Sequence, residues 1–218
     1  MQSGRTMESL PAIESLTKTT LRLRLREETA AIHQSLHHSP GLRQLTSADC
    51  TRADYINVLN IFFQFYHELD ERFDFVPRAQ RFSHEAKPLL WLEKDFLALN
   101  QVVPQRSFTF GFNLMGNMPS LCMETYIGYL YVKQGSTLGG QTISKHLKKS
   151  LALEPGVTQF FFTGFGDLTA HHWKEFLNYV SQHERYLDAD LVVHSAQTYF
   201  GILDQLFSRY FPQRGINE

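Results

Sequence analysis

The stretch GYLYVKQGSTLGGQTISKHL, residues 128–147, decides the fold class of this 218-residue chain. Helix-forming residues on both sides of its glycines predict one long helix that is bent or loosened at residues 135–140, called the glycine segment below. Each glycine in a helix costs about 1 kcal/mol relative to alanine. Close approach of the backbone to a flat ligand or to a neighbouring helix would offset that cost, and a simple helix break would avoid it.

Helical patterns continue on both sides of this long helix. The alternating LRLRLR at residues 21–26 also fits a strand, but the helix formers that follow it favour one continuous helix. Thr20 is a suitable N-cap for that helix, and Ser-Pro-Gly at residues 39–41 is expected to end it. Strand signals are scarce in the rest of the chain. The other predicted helices cover about residues 47–73, 89–100, 156–163, 167–187 and 189–211.

These elements predict an all-α fold, a single domain of roughly seven helices. Eighteen Phe and nine Tyr beside only two Trp indicate a large interior lined by aromatic rings. We interpret residues 1–17 as a flexible N-terminal segment, residues 18–212 as the domain and residues 213–218 as a C-terminal tail. Residues 101–113 are expected to form a loop.

Composition excludes several classes of protein. The net charge of −1 leaves no global basic field that would hold nucleic acid or an anionic membrane surface. Only Cys50 and Cys122 are present, which removes a disulfide scaffold, a cysteine-based zinc site and an iron–sulfur cluster. No apolar run approaches a membrane span, and the N-terminus lacks the apolar core of a signal peptide, so a cytoplasmic protein is expected.

Basic and imidazole side chains form a stripe on the first predicted helix. Arg26 and His33 lie two turns apart on nearly the same face, and His37 follows His33 by one further turn. A neutral imidazole is a common metal ligand, and an arginine two turns away can pair with a carboxylate. The same stripe is also compatible with an ordinary solvent-exposed face. A di-iron site is disfavoured because the chain contains no Glu-x-x-His motif.

Two segments together resemble the heme oxygenases. They are LREETAAIHQSL at residues 25–36 and the stretch 128–147, and the resemblance extends from about Thr20 to Phe207. The chain most resembles the bacterial members, in which the glycine motif reads Gly-Ser rather than Gly-Asp. The resemblance implies a helical bundle that holds heme b between a proximal helix and a kinked distal helix.

The resemblance also implies roles for individual residues. His33 matches the proximal iron ligand, and Arg26 falls where a basic residue near the heme propionates is expected. Tyr131, one turn before the glycines, is expected to line the pocket. The residues that match the distal face are Gly135, Ser136, Gly139 and Gly140.

The activity implied by the family is the opening of heme by O2 to biliverdin, with release of iron and carbon monoxide. Electrons come from a separate donor such as a ferredoxin or a reductase, and the expected assembly is a monomer or weak homodimer. A non-catalytic heme carrier or sensor of the same fold is the alternative. A thiaminase-like or di-iron relative is a third reading.

The chain departs from the family pattern at three places. Ser136 stands where many members carry an Asp that orders water, and His37 stands where many carry an acidic residue that supports the proximal histidine. A late basic pair that often holds the propionates is not evident at residues 160–168. Two histidines and a lysine nearby are possible substitutes, namely His171, His172 and Lys174.

Overall fold

The computed structural model describes residues 20–104 and 119–211, and these residues fold into eight α-helices. Apart from an isolated bridge between Pro155 and Gln159, the described residues contain no β-structure. This confirms the predicted all-α, single-domain fold. The helices are α1 (Leu21–Glu28), α2 (Ala30–His37), α3 (Pro40–Leu45), α4 (Arg52–Asp70), α5 (Pro88–Ala98), α6 (Met123–Leu151), α7 (Thr169–His183) and α8 (Ala189–Tyr210).

The core lies where α6 packs along α8. An ideal Cβ placed on Gly128 would lie 2.7 Å from Ser195 Cβ and 2.9 Å from the Ala196 backbone nitrogen, so a glycine lets the two helices meet closely. Aromatic rings fill the space beside this contact, and Phe73 stacks on Tyr129 with ring centroids 5.0 Å apart. The expected aromatic interior is therefore present.

The first predicted helix is divided into α1 and α2. Thr20 caps α1 as expected, because its side chain accepts a hydrogen bond from the Leu23 backbone N–H. The division falls at Thr29, whose hydroxyl donates to the Leu25 carbonyl oxygen at 2.6 Å. Side-chain bonding to a carbonyl one turn back competes with the helical pattern and bends helices. The division places Arg26 on α1 and His33 on α2.

Two predicted helix boundaries differ from the structure. Pro40 does not simply end the preceding helix but opens α3 at its first turn, where a missing backbone N–H costs nothing. Helix α4 begins at Arg52 rather than near Ser47, because Thr51 and Asp54 form a capping box that fixes its start.

The predicted helix over residues 156–163 is wrong. This segment is a series of turns, with positive φ angles of 73° at Gly156 and 55° at Gly164. Asp95 on α5 accepts hydrogen bonds from the backbone N–H groups of Phe160 and Phe161, at 2.7 and 2.8 Å. We call residues 155–165 the turn segment. Its other backbone N–H groups form turn bonds, such as Gly156 to the Gln159 carbonyl oxygen and Gly164 to the Phe160 carbonyl oxygen, instead of a helical ladder.

Helix α6 is continuous through the glycine segment, as one long helix of 29 residues. It ends at Leu151, and its C-cap Ala152 adopts the left-handed conformation with φ of 55°. Within the described ranges, no helix has both the length and the apolar character needed to cross a bilayer. The predicted N-terminal segment 1–17, most of the predicted loop 101–113 and the tail 213–218 lie outside the described residues, so the domain bounds stay predictions.

Candidate functional site

A cleft opens between α2 and the glycine segment of α6. It comprises an outer cavity of about 360 Å³ and a smaller inner cavity of about 50 Å³. Both cavities are lined by His33 on α2, by Gly135 and Gly139 on α6, and by Phe200 on α8. The fold thus brings together the two sequence segments that carry the family resemblance.

His33 stands at the junction of the two cavities. Its ring packs edge-on against Phe200 with centroids 5.4 Å apart, and it is reached by solvent through the cleft. Burial, and secondarily the neighbouring His37, lower the pKa of His33. A neutral imidazole is the form that binds a metal ion, so His33 can present a ring nitrogen to a metal in the cleft.

His37 lies one turn after His33 and is the second imidazole at the cleft. The Nε2 atoms of the two rings are 3.3 Å apart, a distance at which one donates a hydrogen bond to the other. Burial, then the neighbouring His38, lower the pKa of His37. His37 therefore occupies the side of the cleft next to His33 and partners its Nε2 atom.

The four glycines of α6 have different surroundings. A Cβ on Gly140 would lie 2.9 Å from the Phe162 carbonyl oxygen, so close packing on the turn segment explains that glycine. A Cβ on Gly135 would meet only the Trp173 ring, at 3.9 Å, and one on Gly139 only His37 Cε1, at 3.7 Å. These are ordinary contacts, so protein packing does not require glycine at either position. At these two positions α6 presents backbone, and no side chain, to the cleft.

Ser136 lines the inner cavity and belongs to a buried hydroxyl pair. Its Oγ accepts a hydrogen bond from the Tyr66 hydroxyl at 3.0 Å and donates to the Lys133 carbonyl oxygen at 2.8 Å. Burial raises the pKa of Tyr66, so its phenol stays protonated. The hydroxyl proton of Ser136 is directed to the helix backbone, and the proton of Tyr66 is directed to Ser136.

Behind the glycine segment lies a buried lysine. Lys133 donates to Asp70 at 2.6 Å and to Glu85 at 2.9 Å, and its side chain is 5% exposed. The Tyr129 hydroxyl also donates to Asp70, at 2.6 Å. A buried ammonium group holds its carboxylate partners in place, because without them its charge would be uncompensated. This network links α4 and the segment before α5 to α6 next to the cleft.

Arg26 and Tyr131 both line the outer cavity. Among its described lining residues, Arg26 is the only one with a permanent positive charge. The pKa of Tyr131 is raised by burial, and a hydrogen bond with Thr29 and the charge of Arg26 act in the opposite direction. The Tyr131 ring also contacts Trp173, with centroids 5.6 Å apart. An anionic group in the outer cavity would therefore meet a cation and aromatic surfaces.

Sequence reasoning missed most of the apolar wall. Phe161 and Phe162 line the inner cavity from the turn segment, which was predicted to be a helix. Trp173 and Phe200 line the outer cavity from α7 and α8. The apolar run at residues 160–162 was a usable signal, but its assignment to a helix concealed which of its side chains would face the cleft.

The proposed substitutes for a late basic pair do not line the cleft. His171 and His172 instead contact the Glu175 carboxylate, at 3.5 and 2.9 Å. Lys174 is exposed on α7 and lines neither cavity. In the part of the chain that the structure describes, the carboxylates do not gather into a group typical of a di-iron centre.

Comparisons with known proteins agree with this architecture. A solved heme oxygenase from Leptospira interrogans is similar at a TM-score of 0.65 and 17% identity, over 88% of this chain and 100% of the other. Heme oxygenase-1 from the cyanobacterium Synechocystis, in complex with heme, gives 0.62 and 16%, over 88% and 92%. No curated protein shows a significant match. Residues 19–209 match the family model described as heme oxygenase, and the chain therefore belongs to the heme oxygenase family.

Proposed function

We propose that this protein is a heme oxygenase that binds heme b in the cleft between α2 and α6 and opens it to biliverdin. The observation that carries the proposal is the juxtaposition of His33 with Gly135 and Gly139 across one cavity. These glycines are not explained by packing, since each would accept a Cβ without a clash. A flat ligand that lies against this part of α6 and is ligated by His33 would explain both the two glycines and the position of the His33 imidazole.

The residues of the cleft fit a heme. The outer cavity has a volume of about 360 Å³, within the usual range for small-molecule sites, and its walls are largely aromatic and aliphatic. The lowered pKa of His33 keeps its imidazole neutral near pH 7, as iron ligation requires. His37 must leave the His33 Nε2 atom when that atom binds iron, because their present separation is 3.3 Å. We assign His33 as the metal ligand.

Bound heme supplies the iron that activates O2 and the ring that is opened, with iron and carbon monoxide as further products. The protein contributes apolar walls to the inner cavity, where Phe161, Phe162 and Phe200 line it. On the α6 side, the absence of side chains at Gly135 and Gly139 leaves room for a small reactant. Gly140 lets this helix pack closely against the turn segment.

Ser136 and Tyr66 are the groups that we assign to proton handling at this face. Ser136 accepts from the Tyr66 hydroxyl at 3.0 Å, so a water molecule near Ser136 would join a chain of hydroxyl groups. A serine cannot act as the carboxylate found in many relatives. Tyr66 therefore stands second in the chain as a proton donor to Ser136.

Arg26 and Tyr131 are the groups that we assign to orienting the heme. Arg26 can pair with a propionate carboxylate at the mouth of the outer cavity, in a charge-assisted hydrogen bond. Tyr131 supplies a ring surface beside it. Because a propionate anchor fixes rotation of the ring in its plane, Arg26 is expected to influence which meso carbon is attacked.

A hemin titration of the full chain tests the proposal. We expect a Soret band that saturates at one heme per chain, and conversion to a verdin spectrum when ascorbate or a reduced ferredoxin is added in air. His33→Ala should lose the histidine-ligated ferric spectrum and turnover, and added imidazole should restore part of both. His38→Ala is the matched control, since His38 follows the same helix and lines neither cavity. Normal heme degradation by His33→Ala would contradict the ligand assignment.

A heme carrier or sensor is the second candidate function. It is favoured by one observation: Ser136 donates its proton to the Lys133 carbonyl oxygen and not into the cleft. A single-turnover experiment separates the candidates. A Soret band that persists through reduction in air would support binding without catalysis.

The electron donor and the location of the protein follow from the same proposal. We propose that a ferredoxin or a reductase supplies the electrons, and that the protein works in the cytoplasm as a monomer or weak homodimer. Turnover rates with ferredoxin and with a flavin reductase, compared at equal concentrations, would identify the class of donor.

A further inference from the structure

Three ligand-bearing side chains meet on the surface outside the cleft. Among the described residues, His84, His172 and Glu175 form the only group of three His, Cys, Asp or Glu side chains close enough to hold a metal ion. His84 lies in the segment before α5, and the other two lie on α7. None of the three lines either cavity of the cleft.

The geometry of the group is close to that of a metal centre. Glu175 Oε2 is 3.0 Å from His84 Nδ1 and 2.9 Å from His172 Nδ1, and all three ligand atoms lie within 4.8 Å of one another. Tetrahedral zinc with bonds of about 2.1 Å needs ligand atoms separated by about 3.4 Å. The two nitrogen–oxygen distances are shorter than this, so the ligand atoms would move slightly apart on binding the ion. The His84 side chain is 49% exposed, so it is free to bring its ring nitrogen closer to that of His172.

Both sides of the group are held in place. On α7, His172 and Glu175 are three residues apart and therefore share a face. On the other side, the Gln134 amide donates to the His84 carbonyl oxygen at 2.9 Å and accepts from the Ala86 N–H at 2.8 Å. This pair of bonds fixes the backbone of the segment that carries His84 against α6. The ligands are thus positioned by two separate parts of the fold.

Neighbouring side chains restrict the two ligands on α7. His171 Nε2 lies 3.5 Å from the other carboxylate oxygen, Oε1. Phe165 packs on His172 with ring centroids 4.3 Å apart and restricts that ring. Imidazole and carboxylate ligands are those typical of borderline divalent cations.

We propose that His84, His172 and Glu175 form a binding site for a divalent transition cation, with zinc as the ion that fits best. Two imidazole nitrogens and one carboxylate oxygen bind it, and water completes its coordination. The ion joins the segment before α5 to α7. Trp173, which directly follows His172, lines the outer cavity, so the ion also fixes α7 at the rim of the cleft. The proposal does not depend on heme binding.

Calorimetric titration of the full chain with zinc sulfate tests this proposal. The titration is made on a His37→Ala background, because the His33 and His37 Nε2 atoms, 3.3 Å apart, would form a competing chelate. We expect one zinc site per chain, weakened at least tenfold by Glu175→Gln, by His172→Ala and by His84→Ala. Zinc should also raise the thermal midpoint of the unsubstituted background and leave that of Glu175→Gln unchanged.

His194→Ala is the matched control, because His194 is an exposed histidine on α8 outside this group. It should bind zinc as the background does. Equal zinc affinity in Glu175→Gln and the background would overturn the proposal, as would zinc binding that is indifferent to His84→Ala. If a variant fails to fold, X-ray absorption of the zinc-loaded background decides the matter. Nitrogen and oxygen ligands with imidazole scattering are expected, and sulfur ligands would contradict it.

Discussion

Helix α6 carries two pairs of glycines that look alike in the sequence and differ in what they face. Gly128 and Gly140 contact protein, and a Cβ at either position would lie within 2.9 Å of a neighbouring atom. Gly135 and Gly139 face the cleft, where a Cβ would meet its nearest neighbour at 3.9 and 3.7 Å. The first pair is explained by the fold alone. The second pair costs helix stability without a packing reason, and for this reason we propose that this part of α6 faces a ligand.

Gly128→Ala should show the largest effect on stability. The new methyl group would lie 2.9 Å from both the Ala196 nitrogen and the Val192 carbonyl oxygen, so α6 and α8 would have to separate. We expect the free energy of unfolding to fall by about 3 kcal/mol, at the upper end of overpacking effects. Urea unfolding measures it. Gly201→Ala is the control, since its Cβ would meet nothing within 4 Å, and an equal loss there would contradict the packing argument.

Gly140→Ala should cost less, about 1–2 kcal/mol. Its Cβ would lie 2.9 Å from the Phe162 carbonyl oxygen and 3.2 Å from Phe162 Cα, but the turn segment can shift more easily than a helix. The same urea unfolding experiment applies. A variant as stable as the wild type would mean that packing does not require glycine at position 140.

The turn segment gives stability a dependence on pH through Asp95. Burial raises the pKa of Asp95 to about 7, against an ordinary value of 3.8. Between these values the folded protein retains a proton that the unfolded chain has released, so the Asp95 contribution falls as pH rises from about 4 to about 7. The stability difference between wild type and Asp95→Asn should shrink over this interval and level off above it. A difference that stays constant from pH 4 to 8 would contradict the assignment.

The smallest effect on stability is expected at the cleft pair, and its sign is reversed. Gly135→Ala and Gly139→Ala should raise the stability of the heme-free protein by up to about 1 kcal/mol each, because alanine is the better helix former. Thermal unfolding of the heme-free variants measures this gain. Destabilisation by more than 1 kcal/mol would mean that these glycines serve packing after all.

A larger side chain at the cleft pair separates function from folding. Gly139→Leu should fold, bind hemin and yet lose most single-turnover verdin formation, because the leucine occupies the space left for the reactant. Gly201→Leu on α8 is a suitable control for a bulky change at a helical glycine without a close neighbour. Verdin formation by Gly139→Leu at the wild-type rate would contradict the assignment of this part of α6 to the distal face of the heme.

Much of the fold was accessible from the sequence, and the exceptions have physical causes. Periodicity located the long helices, and the predicted N-cap at Thr20 is confirmed. Both features depend on residues close together in the sequence. The run at residues 160–162 is apolar enough for a helix, but Asp95, some 65 positions away, accepts the backbone N–H groups of Phe160 and Phe161. Pro40 ends one helix and starts another, a distinction that depends on how α3 packs.

Sequence motifs singled out two segments of the candidate site but not its apolar walls. The fold brings His33 and the glycine segment to one cleft, and their roles there stay predictions. The bond between Tyr66 and Ser136 joins residues 70 positions apart, and no motif announces it. The same holds for Phe200 and Trp173, whose positions depend on how α7 and α8 pack on the cleft. Contacts between distant segments are where sequence patterns lose information.

A crystal structure of the hemin-loaded protein tests the proposed heme site most directly. We expect iron bound to the His33 Nε2 atom, a porphyrin face against Gly135 and Gly139, and His37 turned away from His33. Iron ligated by another residue, or heme bound away from the cleft between α2 and α6, would contradict it.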